Sequence, residues 1–512
     1  MRTALILSLL ASPATAQTIP LFADETASSG LTHSFTGEWE QIVGGGVATF
    51  DCNGDARPEM LLAGGTAPAS LWLNASTADA LTFTKAESGA ELTEVAGAYA
   101  LDVDSDGITD LALLRVGEDV LMRGLGDCKF ARANEDWGFS GGDAWSTAFA
   151  AMWEKGATLP TLAIGTYIDR KEEAFPWGNC TDNSLYRAAE GKYTAPFPLK
   201  PSFCALSMLF TDWNRSGTPS LRVSNDREYY KGGQEQLWHV TPGADPTPYT
   251  DKEGWARLRI WGMGIASRDI NGDTYPDYFL TSMADNKLQS LANTDAAAGP
   301  LVPKYADIAF AKGVTAHRPY TGPDLKPSTG WHAQFGDVNN DALPDLFVAK
   351  GNVWEMPDFA MQDPNNLLLQ TAEGKFVESG DKAGVASMLQ GRGAALTDFN
   401  ADGAVDLVVV NRNGPTELWR NSGPVANWIT VDLDQPAPNV DAIGSWIEVR
   451  IGEAIQRQEI TVGGGHAGGT YGPAHFGLGT ATKAEVRVIW PDGTASDWQT
   501  LPANAPATIS RP

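Results

Sequence analysis

Short runs of small and apolar residues recur along this chain, and each leads into an oxygen-rich loop and then a bulkier apolar run. The pattern reads GGGVATF–DCNGDARPE–MLLAGG around Asp51 and GAYAL–DVDSDGITD–LALLR around Asp102. It returns as GMGIASR–DINGDTYPD–YFLTS at Asp269, HAQFG–DVNNDALPD–LFVAKG at Asp337 and GRGAALT–DFNADGAVD–LVVVNRNG at Asp398. Two weaker copies fill the gap: AFAAM–WEKGATLPT–LAIGTY at Trp153, which has lost its acids, and ALSMLFT–DWNRSGTPS–LRVSND at Asp212. The starts at 51, 102, 153, 212, 269, 337 and 398 lie 51 to 68 residues apart, which suits four strands with variable outer loops. The repeat predicts an all-β chain whose body, 17–424, is a seven-bladed β-propeller. An open solenoid would share the period, but a closed ring leaves only short strand edges exposed.

After Pro424 the pattern changes. WITVDLDQ, SWIEVRIG, RQEITVGGG and AEVRVIWPDG alternate with period two between Gly-rich turns, predicting a small β domain over 425–512. No amphipathic helix of useful length stands out. At the other end, one positive charge at Arg2, an apolar stretch from Thr3 to Leu10 and the small-residue triplet Ala14-Thr15-Ala16 predict a signal peptide, 1–16, cut before Gln17. No later apolar run is long enough to span a bilayer. The expected location is secreted or periplasmic.

Composition narrows the partners. With 63 acidic and 37 basic residues the net charge is −26, which excludes the basic face a nucleic-acid binder needs. The 43% hydrophobic and 20% charged content fits a packed globular chain and not a disordered acidic tail. Four cysteines, Cys52, Cys128, Cys180 and Cys204, suit two disulfides in an oxidising compartment. Three pairings are possible. Cys180–Cys204 would close a short Pro-rich loop, leaving Cys52–Cys128.

Five loops carry oxygen-bearing side chains at positions 1, 3, 5 and 9. They are Asp51/Asn53/Asp55/Glu59, Asp102/Asp104/Asp106/Asp110, Asp269/Asn271/Asp273/Asp277, Asp337/Asn339/Asp341/Asp345 and Asp398/Asn400/Asp402/Asp406. Six to eight hard oxygens in a flexible loop suit Ca²⁺ better than Mg²⁺, and transition metals would call for His or Cys. One such loop alone also reads as an Asx-turn. Five in phase, each before an apolar strand, predict about five calcium sites. The Asp212 loop has Ser216 and Ser220 where carboxylates belong, so weak binding or none is expected there, and the Trp153 loop is expected to be empty.

These units resemble FG-GAP/VCBS-type repeats, as in integrin α-subunit propellers. The tail resembles the ASPIC/UnbV domain in Asp441-Ala-Ile-Gly444, Gly463-Gly-Gly465, His475-Phe-Gly-Leu-Gly479 and Trp490-Pro-Asp-Gly-Thr494. With Phe22-Ala-Asp-Glu-Thr26 and Gly44-Gly-Gly-Val-Ala48 at the start, the chain is similar to the cartilage acidic protein family over nearly all of 20–512. The resemblance implies a propeller, calcium between the first two strands of a blade and a secreted location. It implies no reaction. The loops at Asp51, Asp269 and Asp337 lack the glycine at position six, a departure that bears on metal occupancy and not on the fold.

If calcium occupies one face, the other is open to a ligand. Residues before the first strands (Trp145, Trp261, Trp331, His332, Arg392) and after the second strands (Tyr167, Asp169, Arg170, Asn225, Asp226, Arg227, Lys350, Asn352, Trp354, Asn411, Arg412) would form an aromatic, partly cationic funnel. Cations in so acidic a chain point to an anionic or carbohydrate ligand. Blade packing and mutual charge pairing would explain the same residues. No H-E-x-x-H or P-loop occurs. Of the histidines at 33, 239, 317, 332, 466 and 475, His332 is a candidate general base at the funnel mouth, His475 a structural hydrogen-bonding residue and His466 a mobile or turn residue. The leading expectation is a calcium-stabilised binding protein. The alternatives are an extracytoplasmic hydrolase or lyase using His332, Asp169 or Asp226, and a cell-surface module displayed through 425–512.

Overall fold

The computed structural model describes residues 17–173, 175, 178–226, 232–295, 300–315 and 325–512. The expected signal peptide, Arg227 and His317 lie outside the described residues. Among the described residues, the paired strands group into seven four-stranded antiparallel units. Their innermost strands are Val47–Phe50, Val95–Leu101, Ala144–Met152, Ala205–Thr211, Gly262–Arg268, Gly330–Gly336 and Gly391–Thr397. Each of these touches the next, and the last touches the first, so the sheets close a ring: a β-propeller. The ring is fastened by its N-terminus. Phe22–Asp24 pairs with Glu417–Asn421 and supplies the outer strand of the last unit.

The inner strands are small-residue runs because both of their faces are covered. All seven residues of Val95–Leu101 and of Ala205–Thr211 are buried, since each sheet packs on the next. Glycines set the closest approaches. A Cβ on Gly393 would stand 2.4 Å from the carbonyl oxygen of Gly45, and one on Gly264 would stand 2.3 Å from that of Trp331. The bulkier second strands carry the interblade cores, such as Leu346, Val348, Phe279 and Leu368 between the fifth and sixth units.

Residues 427–512 form two small sheets around Ile429, Val431, Ile447, Val449, Phe476 and Val488. They are not a detached module. The stretch between Ala454–Glu459 and Ala474–Gly479 leaves those sheets and enters the centre of the ring. Val462 bridges Ala151, Gly463 bridges Leu209, Gly465 bridges Ile265, and Gly469–Thr470 pairs in parallel with Ala48 and Thr49. The expected open channel is therefore filled by the chain's own Gly-rich strand. A nearly bare backbone suits a bore lined by inner strands, because its N–H and C=O groups bond to theirs, as Ala98 N–H does to Ala467 O at 3.0 Å.

His466 sits at the tip of this plug and is fully buried, not mobile. Its Nε2 accepts from Gly44 N–H at 3.2 Å, and its own backbone N–H donates to His332 Nδ1 at 3.0 Å. Both disulfides have the favoured pairing, Cys52–Cys128 and Cys180–Cys204.

The plug makes a direct prediction. A Cβ on Gly46 would stand 1.8 Å from Ala467 O, a backbone atom with nowhere to move. Gly46→Ala should lower stability by roughly 2–4 kcal/mol, as overpacking against rigid backbone does. Denaturant melts of the two proteins measure it, and an unchanged midpoint would place the tail outside the ring.

Candidate metal loops and the opposite face

Each full loop folds around its first carboxylate. Asp51 Oδ1 accepts from Gly54 N–H at 2.7 Å and Oδ2 from Ala56 N–H at 2.8 Å. The later loops repeat the bond from the sixth residue: Gly107 to Asp102, Thr274 to Asp269, Ala342 to Asp337 and Gly403 to Asp398. The ninth carboxylate points inward and staples strands together. Asp110 accepts from Val103 N–H at 2.8 Å and from Gly124 N–H at 2.7 Å; Asp406 accepts from Phe399 at 3.1 Å and Asn421 at 2.8 Å. Asp345 and Glu59 are held in the same manner, while Asp277 accepts from Ile270 N–H at 3.1 Å and from the Asn271 side-chain amide at 3.3 Å.

These ninth carboxylates are buried. Burial pushes Glu59 and Asp277 up to about 7 and Asp110 up to about 8, with the neighbouring loop acids adding to the effect. Burial also holds Asp345 and Asp406 well above the carboxylate range. Among the first carboxylates, burial raises Asp398 to about 6 and, with Asp341 beside it, Asp337 to about 8. Charge crowded into low dielectric calls for a cation.

Do the donors fit one? Asp102, Asp104 and Asp106 each offer an oxygen within 4.8 Å of the others. Asp104 Oδ1 and Asn400 Oδ1, the third positions of their loops, are buried oxygens without a hydrogen-bond partner. The bare Asp104 acceptor beside Asp102 and Asp106 matches the chemistry of Ca²⁺, whereas at Asn400 it is the amide nitrogen that meets the loop carboxylate. Cys52 and Cys128 also approach Glu59, but both sulfurs are spent in the disulfide. The Asp212 loop keeps the turn, with Gly217 N–H to Asp212 Oδ2 at 2.7 Å, and has Ser220 at position nine. At Trp153 the one acid, Glu154, pairs with Arg187 at 2.5 Å.

The other four full loops depart from the expected convergence of four oxygens. Their third-position amides turn a nitrogen, not an oxygen, toward a loop carboxylate. Asn53 Nδ2 donates to Glu59 Oε1 at 3.0 Å and Asn271 Nδ2 to Asp277 Oδ1 at 3.3 Å. Asn339 Nδ2 donates to Asp341 Oδ2 at 3.1 Å, and Asn400 Nδ2 to Asp402 Oδ2 at 2.9 Å. The fifth-position acids serve the turn. Asp55 accepts from Arg57 N–H, Asp273 from Tyr275 N–H, Asp341 from Leu343 N–H and Asp402 from Ala404 N–H, at 2.8 to 3.0 Å. Asn53, Asp55, Asn271 and Asp402 are also exposed. The physical reason is the amide's two-sided head. It can satisfy a neighbouring carboxylate through N–H, which Asp104 in the same place cannot do. A calcium ion in these four loops therefore requires each amide to rotate its oxygen inward.

The funnel expected on the opposite face is closed. Trp145, Trp331, His332, Lys350, Asn352, Asn225, Asn411 and Arg392 are all buried. Arg392 lies over the Trp331 ring at 4.0 Å and donates to the carbonyls of Ile42, Gly391, Asn352 and Val353. Lys350 pairs with Asp363 at 3.1 Å, and Asn352 donates to the carbonyls of Met356, Phe359 and Ala360. Asn225 donates to Gln234 O and Asn411 to Pro415 O. Trp145 packs edge-on to Tyr167, whose hydroxyl donates to Asp226. Asp169 accepts from Lys171 N–H at 2.8 Å, Arg170 pairs with Glu40 at 2.6 Å, and Trp261 is half-buried against the same apolar cluster. His332 has no exposed position from which to act as a base; burial lowers it to about 4. His475, as expected, makes a structural hydrogen bond, to Asn340 Oδ1 at 2.7 Å.

One part of this face stays open. A cleft of about 750 Å³ lies where loops of the first, sixth and seventh units meet, lined by Trp354, Arg412, Gln390, Asn413, Glu38 and Glu355, with Met361, Met388 and Leu389 exposed at its rim. Arg412 lies over Trp354 at 4.3 Å and is anchored by donating to the carbonyls of Gln41 and Gly37. Trp354 and Arg412 were legible as candidates from their place after second strands. The rim residues were not, because they lie in outer loops without a repeat phase.

Residues 435–512 match the family model described as ASPIC and UnbV. Cartilage acidic protein 1 of Xenopus tropicalis is 29% identical over 164 residues, 31% of this chain and 23% of the relative. Its Homo sapiens counterpart is 35% identical over 114 residues, 22% of this chain and 14% of the relative. The matched segments thus span less than a quarter of these curated relatives. A solved structure described as BBS1N in complex with ARL6DN covers 80% of this chain and 100% of that chain, at 10% identity and TM-score 0.44. The C-terminal match and the named relatives bear out the family resemblance, while the propeller architecture rests on the strand pairing itself.

Two outcomes test this picture. Asp406→Asn removes a buried charge but keeps only one of two acceptors, so in chelator it should be less stable than the parent by about 1–3 kcal/mol, while the rise in melting temperature on adding calcium should shrink. Calorimetry with and without calcium measures both. His466 is lowered to about 3, by burial first and then by Arg392. Below the unfolded value near 6.5 the unfolded chain binds a proton that the folded one refuses, so stability is full above that pH and is lost as pH falls toward 3. His466→Asn should remove this loss, a difference on the order of 3 kcal/mol between the two proteins by pH 4. A gap independent of pH would contradict the burial of the imidazole.

Proposed function

We propose that this chain is a secreted, calcium-stabilised β-propeller that works as a binding protein, with calcium held in its first-to-second-strand loops and its ligand taken in the cleft at Trp354. The observation that carries the reading is the division of the molecule into two faces. One holds the phased oxygen loops and is covered by the C-terminal domain; the other retains an open, aromatic-floored cleft. The two disulfides support an oxidising compartment outside the cytoplasm.

The cleft's chemistry selects among ligands. An indole, a side-chain amide at Gln390, a second at Asn413 and one guanidinium favour stacking and hydrogen bonding to a sugar ring. Glu38 and Glu355 on the same walls oppose a polyanion. A neutral or singly acidic carbohydrate is therefore favoured over a sulfated or phosphorylated chain. Ligand capture without turnover is the expected behaviour, since the side chains once considered for catalysis are engaged in packing and turns.

A panel of immobilised glycans tests the reading. Trp354→Ala should weaken the best binder at least tenfold, and Asn413→Ala severalfold, with the melting temperature little changed for the exposed Asn413. Binding that survives both substitutions would move the site elsewhere, and product formation would replace the binding reading with an enzymatic one.

A further inference from the structure

One strand of the C-terminal domain, Ala454–Glu459, completes two propeller loops in opposite electrical senses. At the Asp212 loop the repeat has Ser220 in place of the ninth carboxylate. Glu459 brings a carboxylate to this loop from outside the propeller: Oε1 accepts from Asp212 N–H at 2.7 Å, and Oε2 accepts from Thr211 Oγ1 at 2.7 Å. Two residues earlier on the same strand, Arg457 reaches the Asp269 loop. Its Nη1 stands 3.1 Å from Asp269 Oδ2, with the two side chains 9% and 1% exposed.

Asp269 is the first residue of a full loop, the position whose oxygen a bound calcium would share. All five first carboxylates, Asp269 included, accept N–H groups of their own loops; what sets Asp269 apart among the described residues is the added guanidinium on its Oδ2. Arg457 has little room to withdraw. Its Nε is 3.1 Å from Glu448 Oε1, and the same carboxylate holds Arg487 at 2.6 Å and Arg215 at 3.2 Å. The contrast is Arg123, which pairs with Asp104 at 3.1 Å but is 33% exposed and leaves Asp104 Oδ1 bare. A guanidinium at hydrogen-bond distance from Asp269 Oδ2 already balances that carboxylate's charge, and it repels a second cation brought to the same oxygen.

We propose that Arg457 is the resident cation of the Asp269 loop: it takes the place of calcium there and locks the C-terminal domain onto the propeller, while the other full loops draw calcium from solution. The inference rests on the calcium reading above and divides its sites into two kinds.

The full-length protein tests it by calcium content per chain after equilibrium dialysis at millimolar calcium. Asp269→Asn should leave the count unchanged, whereas Asp398→Asn should lower it by one. Arg457→Gln should raise the count by one, and adding Asp269→Asn to it should cancel the gain. A fall of one calcium in Asp269→Asn alone overturns the proposal even if Arg457→Gln does not fold. Equal non-zero counts in the parent and a folded Arg457→Gln also overturn it. A parent that binds no calcium at all would instead bring down the calcium reading, and this proposal with it.

Discussion

A carboxylate buried at the root of a blade is the constraint on which this molecule depends. Five of the seven units place an Asp or Glu where the first, second and third strands meet, and four of these, Glu59, Asp110, Asp345 and Asp406, use both oxygens to receive backbone N–H groups from two directions. That fixes the turn and the sheet register together. It also concentrates negative charge in a chain already at −26, at sites where water has been removed. Hydrogen bonds to N–H groups offset only part of the desolvation, as the raised protonation of Glu59, Asp110 and Asp277 shows. The remainder is offset by a proton, by an arginine or, on the calcium reading proposed above, by a bound ion.

The C-terminal domain answers a second constraint, which comes from geometry. A ring of sheets leaves an axial bore, and backbone at its wall needs partners. The Gly-rich stretch 462–470 fits because it brings bonding groups with almost no side-chain volume. It also carries His466 through the ring, where the imidazole packs tilted against Trp331 and Arg392 lies over the same indole, all three buried. Domain and propeller are thereby one folding unit at the axis, joined again at the rim by Arg457 and Glu459. The open cleft at Trp354 lies off the axis, in a region of that face the plug does not reach.

Much of this was legible in the residues. The acid-loop-then-aliphatic phase exposed the repeat because every unit solves the same burial problem with the same spacing. Asp51 to Glu59 and Asp398 to Asp406 differ in detail but keep oxygen at the same offsets. The disulfides were legible from loop closure. Spacing could not say which end of an amide faces inward, so Asn53, Asn271 and Asn339 read as oxygen ligands although their nitrogens bond to loop acids. Contact between distant segments was equally hidden. Phe22–Asp24 is three residues with no pattern of its own, and only its partner strand Glu417–Asn421 makes it a strand. Trp331, His332 and Arg392 stood correctly near the axis, but inward means solvent in an open ring and core in a plugged one. Nothing local distinguishes the two, although a lone histidine in a run of glycines was a hint that bare backbone had a narrow place to go.

The central claim is that the phased loops hold calcium. Its most direct test is long-wavelength anomalous diffraction from crystals grown in millimolar calcium. The account predicts anomalous peaks inside the loops that begin at Asp51, Asp102, Asp337 and Asp398, each within about 2.3–2.6 Å of several oxygens. Well-ordered loops with no anomalous signal in any of them would contradict it.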